Sequence, residues 1–163
     1  MMNLTENQAV ETYSTAVQSG WIDYNGHMSE AYYVLVFGYA TDSFYELIGA
    51  GADYRNTHHC SIYTLEAHIN YLQEVSEGEP LQVVTQLLDA DQKRMCLFHS
   101  LYNKKSGELL ATTELMLLYV DMQTHRSARF PERLNDRIHA LKSQHSKFPT
   151  PQTAGGSISL KQG

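Results

Sequence analysis

Apolar residues recur every three or four positions after residue 29, the spacing of one face of an α-helix. Ser29 is a favourable N-cap, Glu30 places negative charge in the first turn, and Gly49 supplies a stop. The apolar positions are Tyr33, Val36, Phe37, Ala40, Phe44, Leu47 and Ile48. The sequence therefore predicts one long helix, and because few of its residues are polar we expect it to be largely buried.

From residue 60 the period changes to two, which indicates β-strands. In the segment 60–73 the alternation predicts one face with Tyr63, Leu65, Ala67, Ile69 and Tyr71, and an opposite face with Thr64, Glu66, His68 and Asn70. Further strands are predicted at 9–17, 81–90, 95–103 and 109–122, a loop at 53–57, and a short amphipathic helix after Pro131. Short connections between the later strands favour antiparallel hairpins.

These elements predict an α+β fold in which a five-stranded antiparallel sheet wraps around a long central helix. We expect residues 1–145 to form one domain and residues 146–163, which contain Pro149, Pro151, Gly155 and Gly156, to form a flexible C-terminal tail. Such a sheet has an exposed edge strand. Pairing that edge with a second copy would cover it, so we expect at least a homodimer, or a dimer of dimers.

Composition narrows the classes of function. The 163 residues suit one domain, and a formal net charge of −6 disfavours nucleic acid and anionic membrane surfaces as partners. The start MMNLTENQAV lacks the features of a secretory signal, and no apolar run approaches the length of a membrane span. Cys60 and Cys96 have no CxxC spacing and are expected to be buried, inert thiols. We therefore expect a soluble, cytoplasmic protein.

The segment 21–28, WIDYNGHM, precedes the long helix and carries three polar side chains two residues apart, Asp23, Asn25 and His27. Free N–H groups at a helix start can polarise a carbonyl oxygen, and a carboxylate beside them can act as base or nucleophile on that carbonyl. The alternative is a turn of Asp, Asn and Gly that merely caps the helix.

The run Asp23-x-Asn25-x-His27, with Tyr33 in the helix, resembles the catalytic loop of hotdog-fold acyl thioesterases. Plant-type acyl-carrier thioesterases carry the pattern D-x-N-x-H, and the 4-hydroxybenzoyl-CoA thioesterase-like group keeps the Asp and a Gly three residues on, as Asp23 and Gly26 do here. The runs WIDYNGHMSEAYY, FGYATD, TLEAHINYL and ELMLLYVD are similar to the betainyl-CoA thioesterase group of carnitine breakdown. The resemblance covers residues 9–130. Ser29-Glu30 stands where the plant-type pattern has Asn-Asn, so detailed contacts at the helix start do not carry over.

The resemblance implies hydrolysis of a short-chain acyl-CoA, with betainyl-CoA as the named candidate and without a cofactor. Asp23 would attack the thioester carbonyl or activate water, Asn25 would orient substrate or water, and His27 would assist proton handling. Amides near Met28 and Ser29 would polarise the carbonyl. A quaternary ammonium is best held by aromatic faces and a carboxylate, and the candidates are Trp21, Tyr24, Tyr32, Tyr33 and Tyr63 with Glu66.

Other candidate positions keep two interpretations each. Glu66 and His68 either enter the site across a dimer or form a surface pair. Lys93, Arg94, Arg126 and Arg129 either hold the phosphates of CoA or lie in ordinary solvated turns. Asp42, within the helix, is a second possible catalytic acid, although satisfying buried polar groups is the simpler role.

Two rival functions share this scaffold. Enoyl-CoA hydratases resemble D-x-N-P-x-H, whereas here His27 follows Asp23 by four residues without a proline. A non-enzymatic acyl-CoA-binding protein is the other rival. The adjacent His58, His59 and Cys60 point to opposite sides of a strand, which disfavours a metal site. Neither a GxGxxG nor a Walker pattern occurs, so no nucleotide cofactor is expected.

Overall fold

The long helix occurs where the periodicity predicts it. In the computed structural model, which describes residues 9–160, helix α1 spans Glu30–Ile48. Ser29 is its N-cap residue, although its side chain makes no capping hydrogen bond, and Gly49 ends it with a left-handed φ of +80°. Residues 1–8 and 161–163, which include most of the segment considered as a signal and both ends of the chain, lie outside the described residues.

An antiparallel sheet curls around α1. Its strands are β1 (Val10–Ala16), β2 (Cys60–Tyr71), β3 (Pro80–Ala90), β4 (Arg94–Asn103) and β5 (Leu109–Asp121), in the spatial order β1-β3-β4-β5-β2. A two-residue strand, β6 (Arg126–Ser127), pairs with the end of β5. The five predicted antiparallel strands are confirmed, and β6 is an addition that two polar residues gave no reason to expect.

The core lies between α1 and the inner face of the sheet. Val36, Ala40 and Phe44 of α1 are fully buried there. They pack into two clusters with sheet residues such as Val83, Leu97, Leu101 and Leu117. Helix α3 (Glu132–His145), which follows Pro131 as predicted, adds Leu134 and Ile138 to the second cluster. Burial of each large apolar side chain contributes about 1.5–3 kcal/mol, so this face of α1 fixes the helix on the sheet.

Two details differ from the sequence prediction. The segment predicted as a loop at 53–57 belongs to a short helix, α2 (Ala52–His58). None of its residues is buried, so no apolar periodicity marked it.

In β2 a bulge between Thr64 and Glu66 interrupts the predicted alternation. Paired residues share a face of a sheet. Since Tyr63 pairs with Leu118 and Glu66 with Met116, Tyr63 lies on the outer face with Glu66, and not with Ala67 and Tyr71.

The C-terminal segment crosses the outer face of the sheet. Gln86 Nε2 donates to Pro149 O at 3.3 Å, Thr112 and Thr153 hydroxyls lie 3.3 Å apart, and Gly155 N–H donates to Glu114 Oε2 at 2.6 Å. These contacts give the tail a defined path as far as Gly155. Its flexibility in solution stays a prediction.

Candidate functional site

The loop before α1 is a tight turn held by its own backbone. Ile22 and Met28 form an isolated antiparallel bridge. Asp23 N–H donates to His27 O at 3.0 Å, and Gly26 N–H donates to Asp23 O at 3.0 Å. Gly26 has a φ of +81°, which a residue with a side chain adopts only with strain. The loop therefore presents Asp23, Asn25 and His27 from a fixed backbone.

The carboxylate of Asp23 is oriented by this turn. Asn25 N–H donates to Asp23 Oδ1 at 2.8 Å, an Asx turn. The Asp23 side chain is partly exposed, and Asn25 is exposed beside it. The hydrogen bond stays within the loop and Ser29 makes no side-chain cap, so the structure contains the predicted turn without a side-chain cap on α1, and the catalytic role of Asp23 stays a prediction.

The backbone N–H groups that are free at the start of α1 are not those of Met28 and Ser29. Met28 N–H donates to Val75 O and Ser29 N–H to Trp21 O, both at 2.9 Å, so these two amides are occupied by the protein. Met28 and Ser29 therefore do not themselves supply the amides predicted near them to polarise a substrate carbonyl. In the described part of the chain no acceptor takes the N–H groups of Glu30 and Ala31, the first two residues of α1. These two amides are the donors that remain for a ligand.

His27 is paired with a residue that the sequence did not single out. Its Nδ1 lies 3.1 Å from Glu74 Oε2, just beyond the end of β2. Because Met28 N–H bonds to Val75 O in the same region, two contacts join the loop to the segment after β2. This contact with Glu74 holds His27 beside α1, with its side chain one-third exposed.

A cleft of about 500 Å³ lies between the start of α1 and the end of β2. Seven residues line it: Met28, Glu30, Tyr33, Tyr71, Leu72, Gln73 and Glu74. Tyr33 is buried, and its hydroxyl donates to Gln73 O at 3.0 Å. Its ring meets Tyr71 edge to face, with centroids 5.4 Å apart. Burial, followed by the charge of Glu74 and the neighbouring Tyr71, raises the pKa of Tyr33 to about 12, so the phenol stays neutral.

The predicted aromatic set does not assemble around one point. Trp21 is buried and stacks on Tyr32 at 5.5 Å, which makes this pair part of the packing. Tyr24 is 97% exposed at the tip of the loop. Tyr63 lies on the outer face of β2, eight residues before Tyr71 and about 26 Å from it along the strand. Of the predicted aromatic residues, only Tyr33 lines the cleft.

Glu66 and His68 also lie on the outer face of the sheet, away from the loop of their own chain. His68 pairs with Glu114 across the strands, and its buried Nδ1 has no hydrogen-bond partner in the described residues. On the same face Cys96 Sγ–H donates to Glu114 Oε1 at 3.4 Å. Burial, with this hydrogen bond, raises the pKa of Cys96 to about 12, which keeps the thiol protonated and inert.

The basic candidates converge at the other end of the sheet. Lys93 and Arg129 line a depression of about 510 Å³, and Lys93 Nζ donates to Ser127 Oγ at 3.4 Å beside Arg126. Arg94 differs because its guanidinium binds Asp91 at 2.6 Å and 2.8 Å. Lys93, Arg126 and Arg129 together form the basic cluster.

Over residues 9–160 no group of three or more potential metal ligands occurs, and no helix is long and apolar enough to cross a bilayer.

The chain is similar to known proteins in both sequence and fold. The family model described as "Thioesterase-like superfamily" matches residues 17–138. The betainyl-CoA thioesterase of Pseudomonas aeruginosa is 44% identical over 154 residues, which cover 94% of this chain and 97% of that protein. An L-carnitine dehydrogenase/betainyl-CoA thioesterase from Rhizobium sp. is 36% identical over 98% of this chain, which spans 32% of that longer protein.

A solved structure gives the same result for the fold. A hypothetical protein from Staphylococcus aureus in complex with CoA superposes with a TM-score of 0.88 at 29% identity, covering 98% of this chain and 100% of that one. The chain has the hotdog fold. It belongs to the thioesterase-like superfamily, and the reaction of this class is thioester hydrolysis. The hydratase and non-enzymatic alternatives receive no support from these comparisons.

Proposed function

We propose that this enzyme hydrolyses a short-chain acyl-CoA, betainyl-CoA in particular, to the free acid and CoA. The observation that carries the proposal is the fixed Asp23 carboxylate in the loop that leads directly into α1, whose first two amides are free. The betainyl-CoA thioesterase of Pseudomonas aeruginosa supports betainyl-CoA as the substrate. The Rhizobium relative, named L-carnitine dehydrogenase/betainyl-CoA thioesterase, supports a place in carnitine breakdown.

In this proposal the thioester carbonyl oxygen accepts hydrogen bonds from the N–H groups of Glu30 and Ala31. The positive end of the helix dipole stabilises the negative charge that develops on that oxygen. Asp23 acts through Oδ2, because Asn25 N–H binds Oδ1. It either attacks the carbonyl carbon or takes a proton from the attacking water, and the geometry serves both routes.

His27 and Asn25 position the reacting groups. Glu74 fixes the His27 ring through Nδ1, which leaves Nε2 to meet water or substrate. The backbone N–H of Asn25 holds the Asp23 carboxylate, and the Asn25 side chain is exposed next to it. No strong acid is required, since a departing thiolate has a conjugate acid with a pKa near 8.5, taking cysteine as the model.

The phosphates of CoA need local positive charge on a protein with net charge −6. The basic cluster supplies this charge, but it lies at the opposite end of the sheet from Asp23. Lys93 O accepts from Tyr119 N–H near the end of β5, whereas the loop meets the segment after β2. Helix α1, with 19 residues, separates the two ends by about 28 Å.

A homodimer formed through β2 resolves this separation. β2 is an edge strand, and two large apolar side chains in it that lie outside the cleft, Tyr63 and Leu65, are substantially exposed. A two-fold axis pairs identical edges antiparallel. The basic cluster of each subunit then lies at the same end as Asp23 of its partner, so each site is composite.

Subunit complementation tests the composite site. We expect Asp23→Asn homodimers to be inactive, and Arg126→Ala/Arg129→Ala homodimers to lose about tenfold or more in kcat/KM through weaker CoA binding. A heterodimer of the two chains keeps one intact composite site, so its kcat/KM should be about half the wild-type value. The measurement uses two affinity tags and substrate below KM.

The control for this experiment is Arg94→Ala, because Asp91 already holds that guanidinium. We expect this variant to change KM for acyl-CoA much less than the double variant does. If the heterodimer shows only the mean activity of the two parent homodimers, the basic cluster does not act across the interface. A chain that is monomeric by light scattering would contradict the dimer itself.

The function is tested by thiol release from betainyl-CoA with the purified chain. We expect one CoA thiol and one betaine for each substrate consumed. Binding of betainyl-CoA without thiol release would contradict the proposal in favour of a non-enzymatic carrier. We place the enzyme in the cytoplasm, where its free thiols Cys60 and Cys96 match a reducing compartment.

A further inference from the structure

We propose that the cleft between the start of α1 and the end of β2 binds the quaternary ammonium of the acyl group. This inference rests on the proposed function and assigns the residues that would make the enzyme selective for a cationic substrate. They are Tyr71, Tyr33, Glu30 and Glu74, and only Tyr33 belongs to the aromatic set that the sequence suggested.

The aromatic part of the cleft is a preformed pair. Tyr33 is fixed from two sides, by burial in the core and by its hydrogen bond to Gln73 O at 3.0 Å. Tyr71 meets it edge to face at 86° and remains 46% exposed, so its ring is accessible to a ligand in the cleft. A trimethylammonium group donates no ordinary N–H hydrogen bond, and aromatic faces are the surfaces that attract it.

The charge of the cleft also favours a cationic ligand. Two of its seven lining residues are acids, Glu30 and Glu74, and none of the seven is a lysine or arginine. His27 contacts only one of these carboxylates, Glu74. Glu30 and Tyr71 line the same cleft, and after burial the charge of Glu30 is the second factor that raises the pKa of Tyr71. Such a cleft attracts a cation and repels the phosphates of CoA.

The position of the cleft suits a short acyl group. Glu30 contributes its side chain to the cleft, and its N–H is one of the two free amides at the helix start. In betainyl-CoA a single methylene separates the ammonium nitrogen from the thioester carbonyl carbon. A carbonyl held at the start of α1 therefore places the ammonium group directly in this cleft.

The test is the ratio of kcat/KM for betainyl-CoA to that for tert-butylacetyl-CoA, its neutral isostere. We expect Tyr71→Leu to lower this ratio by about 2- to 30-fold, the range for loss of one cation–π contact. Tyr71→Phe keeps the ring and should keep the ratio. Glu30→Gln should lower the ratio by removing a charge next to the ammonium. Thermal unfolding of each variant shows whether it is folded.

A matched control for Glu30→Gln is Glu132→Gln, since Glu132 is also an exposed acid in the first turn of a helix, α3. It should leave the ratio at the wild-type value. If the wild type prefers betainyl-CoA and both Tyr71→Leu and Glu30→Gln keep that preference, the cleft is the wrong site while the proposed function stands. A wild type with equal efficiency on both substrates contradicts the proposed function as well.

Discussion

Replacing Asp23 by Asn is expected to lower kcat for acyl-CoA hydrolysis by about a hundredfold or more. The substitution keeps an oxygen that can accept from Asn25 N–H, so the turn is preserved, but it removes the group that attacks the carbonyl or takes the proton of water. The measurement is thiol release under saturating substrate, together with thermal unfolding to show that stability is unchanged.

The matched control is Asp42→Asn, which removes the same charge from the other carboxylate considered for catalysis. Asp42 is exposed on α1, twelve residues after Glu30 and therefore about 18 Å further along the helix. It should retain wild-type kcat. Full activity of Asp23→Asn combined with an inactive Asp42→Asn would move the catalytic acid from the loop to the helix.

The second large effect concerns stability at acid pH. His99 is fully buried between α1 and the sheet, with Nε2 at 2.8 Å from Thr41 Oγ1 and Nδ1 at 2.7 Å from Thr85 Oγ1. Burial lowers the pKa of His99 to about 3, from an ordinary value of 6.5. The folded chain therefore keeps this ring neutral at pH values where the unfolded chain protonates it.

The sign of the effect follows from this difference. The stabilisation is complete above pH 6.5 and is lost as the pH falls towards 3, by about 1.4 kcal/mol per pH unit. Between pH 7 and pH 5 the loss from His99 should be about 2 kcal/mol, measured by urea unfolding. Carboxylates with lowered pKa values, such as Asp91 at about 2, titrate below this window.

A variant isolates the contribution of this histidine. His99→Gln retains a side chain that can hydrogen-bond to Thr41 and Thr85 but cannot titrate, so the loss of stability between pH 7 and pH 5 should be smaller. Burial also lowers the pKa of His145, which leaves a residual slope. His139→Gln, on the exposed side of α3, should keep the wild-type slope. An unchanged slope in His99→Gln would show that the ring titrates alike in the folded and the unfolded chain.

Local chemistry explains which parts of the fold the sequence predicted well. The buried residues of α1 recur every three or four positions, and this spacing predicts the helix. Gly49, which has a positive φ, marks its end. The turn around Asp23 is likewise built from hydrogen bonds within five residues. Helix α2 was missed because it buries nothing. The bulge in β2 was missed because strict alternation gave no sign of the extra residue that moves Tyr63 to the outer face.

The rest of the site depends on contacts between distant segments. Glu74 reaches His27 only because β2 ends beside the loop, and the same placement brings Tyr71 to Tyr33. The occupied amides of Met28 and Ser29 have acceptors at Val75 and Trp21, one of them in a distant segment. Glu30 can be an acid that stabilises the dipole of α1 and also an acid that lines the cleft. The sequence alone indicates only the first of these roles. A search for acids near the ends of the elements flanking the loop would have found Glu30 and Glu74.

The central claim is that the site hydrolyses a short, cationic acyl-CoA. Its most direct measurement is kcat/KM of the wild-type chain for thiol release from betainyl-CoA, from tert-butylacetyl-CoA and from a long-chain acyl-CoA. We expect betainyl-CoA to be preferred over its neutral isostere by at least about tenfold, the combined effect of two or three contacts to the ammonium. Equal efficiency on the two short substrates, or a preference for the long chain, would contradict the account.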